Sequence, residues 1–130
     1  NMFEGIKIGC FKHKDETGPW WPANSLEALN RGNRLVESQF GNRFKLGRIE
    51  EGYKADIVLL DYNNPTPLVS ANAPGHFVWG MSSGHVNTTI VNGKVLFRDH
   101  KFTRRDAEAI YRRAAEIAGE LWKEVDKIRP

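Results

Sequence analysis

Cysteine is almost absent, with Cys10 alone in 130 residues. A single thiol excludes an internal disulfide and any cysteine cage around zinc, and it fits a reducing compartment, so a cytoplasmic home is expected. Long apolar runs are missing as well. The longest, Ile57–Leu60, has four residues, against the roughly 18 needed to span a bilayer, so no membrane partner is expected. There is no basic-then-apolar leader pattern and no Met at position 1, and the expectation is a segment cut from something longer. Charge of one sign is also lacking. The 19 basic and 16 acidic residues leave a net +3, too even a balance to suggest a nucleic-acid partner. The pairs Arg104-Arg105 and Arg112-Arg113 could touch phosphate, but at helical spacing they read as a solvated flank.

What is present suffices for one modest core. Hydrophobic residues make up 40% and include four Trp, seven Phe and three Tyr, which argues against disorder. Phe3, Ile6 and Cys10 give Asn1 to Lys14 a helical period. Asp15 to Asn24, with Pro19 and Pro22 around Trp20-Trp21, reads as a loop whose tryptophans plug onto the core. Asn24 caps a second helix answered by Glu27, and Leu26, Leu29, Val36 and Phe40 mark its face until Gly41. Ala55 to Asp61 reads as a buried strand after the turn-rich Ile49 to Lys54, and Asn63 to Pro74 as an irregular crossing. Phe77-Val78-Trp79 opens a second β region. It continues in Val86 to Val91 and Lys94 to Arg98, joined by Asn92-Gly93, a pair that tolerates the positive φ of a type I′ hairpin turn. Thr103, with Asp106, caps a final helix. Its stripe runs through Ala107, Ile110, Tyr111, Ala114, Ala118, Leu121, Trp122 and Val125.

No catalytic constellation emerges from these residues. His13, His76, His85 and His100 form neither His-x-His nor His-x-x-x-His, the spacings that converge imidazoles on one ion. His76 and His85 flank a predicted strand and could meet, with Asp56 or Asp61 adding a carboxylate. The plainer reading is loop histidines at turns, and His100 sits in a polar turn. Ser82-Ser83-Gly84 is no nucleophile elbow. Gly41, Gly47 and Gly52 do not make a phosphate-cradling loop.

Two stretches carry a resemblance. Leu46-Gly-Arg-Ile-Glu-Glu-Gly-Tyr-Lys-Ala-Asp-Ile-Val-Leu-Leu-Asp61 resembles the passage by which members of the amidohydrolase superfamily leave their barrel and enter a small β-sandwich. Val86-Asn-Thr-Thr-Ile-Val-Asn-Gly-Lys-Val-Leu-Phe-Arg-Asp99 is similar to their closing hairpin. Order and spacing agree with the branch of chlorohydrolases, deaminases and selenium-associated aminohydrolases. Asn24 to Gly41 resembles the last barrel helix, with Leu29-Asn30 in place of an Ala-Thr pair and Asn33 in place of the Ala after Gly32. Asn1 to Glu4 looks like the segment just after the final barrel strand.

The resemblance implies an α+β chain. Residues 1–45 would be terminal helices of a truncated TIM-like barrel. Residues 46–130 would be the C-terminal share of a composite β-sandwich, with hairpin and amphipathic helix, exposing an edge where other strands belong. In such families zinc or another divalent ion activates water for attack on a carbon–nitrogen (non-peptide) or carbon–halogen bond. The ligands would all precede Asn1, so no catalytic residue, metal ligand or cofactor is expected in this chain. Asn1, close behind the family's metal-binding Asp, would line the substrate pocket. The implied partners are the N-terminal remainder of a parent enzyme, which alone would take the small-molecule substrate, and further copies in a homo-oligomer. Alone, the chain is expected to be inactive, with its final helix covering one sheet face. The other reading is a non-catalytic binding or assembly module that keeps the fold.

Overall fold

The computed structural model describes residues 1–18, 21–41 and 43–128. Helix α1 spans Met2–Thr17, and Asn1 caps it through an Oδ1 that accepts from the Glu4 amide at 3.4 Å. Glu4 in the first turn and Lys14 in the last oppose the helix dipole. The helix stops before Gly18, whose φ of 84° a side chain would resist. Helix α2 spans Pro22–Gln39. It starts earlier than the sequence suggested. Pro22 takes the first helical position, where no amide partner is needed, and the amide of Trp21 donates to Asn24 Oδ1 at 3.2 Å. Asn24 therefore reaches back from inside the helix instead of capping it. Trp21 is 68% exposed and plugs nothing; its neighbour Trp20 lies outside the described residues.

The chain then turns back along α2. The Leu46 amide donates to Glu37 Oε1 at 2.6 Å, and Lys54 N–H donates to the Lys45 carbonyl at 2.8 Å. Strand β1 is Ile57–Leu60. After an irregular crossing, helix α3 (Ala73–Gly75) runs straight into a π-helical turn, His76–Gly80, closed by the Met81 amide on the His76 carbonyl at 2.8 Å. A 3₁₀ turn, Ser83–His85, leads into β2, Val86–Val91. Strand β3 is Lys94–Arg98, and β4 is Lys101–Phe102. Helix α4 spans Ala107–Ile128.

The four strands form an antiparallel sheet in the order β1-β2-β3-β4. Ile57 faces Ile90 and Val91 faces Lys94, with bulges beside Leu60 and Thr89. Asn92 and Gly93 take φ of 49° and 74°, as the hairpin reading requires. Asp99 and His100, at φ 50° and 60°, make a second two-residue turn into β4, a strand the sequence did not announce. Helices and antiparallel sheet together make an α+β fold.

Four expectations change. Phe77-Val78-Trp79 is helical, not a strand, because its three side chains leave in different directions to reach different neighbours. Phe77 meets Phe3 at 5.4 Å between ring centroids, Trp79 meets Phe11 at 4.9 Å, and Val78 is wholly buried, as is Cys10 on α1. Strand β1 is not buried. It is an edge strand whose Val58 and Leu59 are each 52% exposed. Thr103 does not cap α4: its hydroxyl donates to the Val95 carbonyl at 2.8 Å, and Asp106 Oδ1 takes the Ala109 amide instead at 3.0 Å. Finally, α4 does not lay its stripe on the sheet, for Ile110, Tyr111, Leu121 and Trp122 all stand exposed.

Candidate functional site

The chemistry-bearing side chains gather where the start of α1, the loop after β1, the π turn and the 3₁₀ turn meet. Tyr62, just past β1, sits at the centre. Its hydroxyl shares a 2.8 Å hydrogen bond with His76 Nδ1, and its ring meets the edges of His76 and His85 at 5.7 and 5.3 Å. Thr66 Oγ1 stands 3.1 Å from His76 Nε2, so both nitrogens of that ring have hydroxyl partners. His85 Nδ1 accepts from the Ser82 amide at 3.0 Å and lies 3.2 Å from its hydroxyl. An amide can only donate, which fixes this nitrogen as an acceptor and the neutral ring's proton on Nε2. Asn1 joins the same corner: its Nδ2 donates to Ser83 Oγ at 2.9 Å while its Oδ1 caps α1.

Gly80 completes the packing. A Cβ there would collide with the Tyr62 hydroxyl, so the glycine allows the ring its place. Tyr62, Thr66, Asn72, His76 and Trp79 line an open pocket of about 360 Å³ beside the cluster. A second, more apolar groove of about 490 Å³ runs between α1 and α2. Met2, Ile6, His13, Ser25, Leu29 and Asn33 line it, with Gly5, Gly9 and Gly32 lowering its floor.

His76 and His85 thus do come together, but no carboxylate joins them. Asp56 Oδ1 accepts the Asn92 amide at 2.6 Å, pinning the hairpin turn to the start of β1. Asp61 Oδ2 accepts Asn87 Nδ2 at 2.7 Å and lies 3.8 Å from His100 Nε2. Among the described residues, no three His, Cys, Asp or Glu side chains converge as metal ligands would. Arg113 pairs with Glu116 on the surface of α4 at 3.0 Å. Glu27 is the one shifted group: its hydrogen bond to Arg34, then the charge of Arg34, then Arg31, hold its carboxyl below the ordinary 4.5. Among the described residues, no helix is long and apolar enough to cross a membrane.

A model of the amidohydrolase family matches residues 1–96. The chain belongs to the amidohydrolase family. Within it, the 5-methylthioadenosine/S-adenosylhomocysteine deaminase of Dictyoglomus thermophilum is 40% identical over 125 residues, 95% of this chain and 29% of that protein. The 5'-deoxyadenosine deaminase of Methanobrevibacter smithii is 36% identical over 104 residues, 79% of this chain and 24% of that protein. That of Methanocaldococcus jannaschii is 31% identical over 117 residues, 90% and 27% of the two chains. This amidohydrolase chain therefore spans about a quarter of the length of the curated relatives it matches.

Proposed function

We propose that the chain is the C-terminal portion of a metal-dependent amidohydrolase that deaminates a small amine-bearing substrate. The class would be purine nucleosides modified at the 5' position. The observation that carries this reading is the family match over residues 1–96 together with relatives named as deaminases of such compounds. Those names favour the carbon–nitrogen over the carbon–halogen arm of the family. The reaction consumes one water, replaces the amine carbon's C–N bond with C–O, and releases ammonia.

The described side chains do not fit a metal. His76 has both nitrogens bonded to hydroxyls, His85 has one nitrogen held by an amide, and the nearest aspartates are bonded elsewhere. The ion of such an enzyme would be gripped by the N-terminal remainder of the parent, and no step of the reaction is derived through it here. This chain would supply support. Residues 1–45 would close the barrel, and residues 46–130 would add strands to a sandwich whose free edge is β1. Asn1, held by Ser83 and tied into α1, would present its face of the substrate pocket at a fixed height.

The test compares ammonia release from 5'-deoxyadenosine by the parent-length protein and by the 130-residue chain. Release by the longer protein alone is expected. Turnover by the short chain would overturn the division of labour, and none by either would overturn the substrate class.

A further inference from the structure

Helix α4 holds the largest unclaimed feature of the molecule. Its 22 residues make a rod about 33 Å long. Along one side stand Ile110, Tyr111, Ile117, Leu121 and Trp122, from about half to 71% exposed. Together they offer on the order of 700 Å² per copy, close to the roughly 800 Å² each partner contributes to a stable protein interface. The occupant that this face fits is a second copy of itself. A two-fold interface must be self-complementary, and the sequence of α4 is close to symmetric about the bond between Glu116 and Ile117.

We infer that two chains pair through antiparallel α4 helices about a two-fold axis at that point. Small residues, Ala114, Ala115 and Ala118, occupy the centre and let the backbones approach closely. The large ones lie outside, so Tyr111 of each copy faces Trp122 of the other while Ala115 faces Ala118. Charges on the flank match in the same register. Arg113 meets Glu120 of the other copy, and Asp106 meets Lys127, each pair occurring twice. A shift by one helical turn would lose these pairings and set the large side chains over the alanines. The local Arg113–Glu116 and Lys127–Glu124 pairs, at 3.0 and 2.6 Å, are exposed and cost little to exchange.

Sedimentation equilibrium of the 130-residue chain over a concentration series reads this directly. The expected mass is twice 14.8 kDa. Trp122→Glu, at a solvent-exposed position whose change leaves the core untouched, is expected to raise the dimer Kd by roughly tenfold or more while circular dichroism stays the same. Arg113→Glu should weaken pairing, and adding Glu120→Arg should restore it, a rescue that random apolar sticking would not show. A mass of 14.8 kDa at every concentration would mean that something else covers α4, such as the rest of a longer parent, and overturns the proposal. A dimer indifferent to Trp122→Glu, held by the β1 edge or the α1–α2 groove, overturns it as well.

Discussion

Single side chains decide how the two halves of this molecule are joined. Tyr62 carries no motif and follows an ordinary strand end, so nothing in the sequence marks it. Its importance comes from long-range neighbours, since His76 and His85 reach it only once the π and 3₁₀ turns have formed. Removing its hydroxyl in Tyr62→Phe takes a partner from His76 Nδ1, where Thr66 already occupies Nε2. A loss of about 1 kcal/mol is expected in urea unfolding. Val78, with no exposed surface beside the equally buried Cys10, should be more sensitive. Val78→Ala removes two methyl groups from a packed site and is expected to cost about 2 kcal/mol by the same measurement. Glycine at position 80 was legible as a turn residue, but not as the gap that admits the Tyr62 hydroxyl.

Elements with a strong local signal were the readable ones. The β2–β3 hairpin could be read because Asn92-Gly93 alone satisfies two positive φ values. Gly93→Ala should lower stability by about 1 kcal/mol or more, seen as a shifted thermal midpoint with an unchanged fold. The period of α4 likewise specified its helix, though not its cap, since Asp106 is nearer the first free amides than Thr103. The π turn was illegible for a physical reason. Three consecutive apolar residues have the same pattern whether a strand buries both faces or a helix is surrounded, and only the neighbours Phe3 and Phe11 decide between them. Helix α2 carries its own pH dependence. Because Arg34 and Arg31 depress the Glu27 pKa, the pairing stabilises the helix above about pH 4.5 and is lost as pH falls through the lower folded value. Acid titrations followed at 222 nm should show wild type and Arg34→Ala differing at neutral pH and converging in acid.

At the scale of the whole molecule, the telling quantity is surface. The chain exposes 10309 Å², whereas a compact monomer of 14.8 kDa would expose about 7,000 Å². The excess lies on the edge strand, in the groove between α1 and α2, and along α4. The family and its order of motifs were legible, because the approach to β1 and the closing hairpin are local sequence patterns. What covers those surfaces was not, because cover is supplied by residues that these 130 do not include. The account's central claim is that the groups gripping a catalytic metal are among the uncovered chain's missing companions. Metal content measured on the purified 130-residue chain and on the parent-length protein, after equal exposure to zinc and gel filtration, tests it most directly. The account predicts a stoichiometric ion in the longer protein and none retained by the shorter. One equivalent held by the 130 residues alone would contradict it.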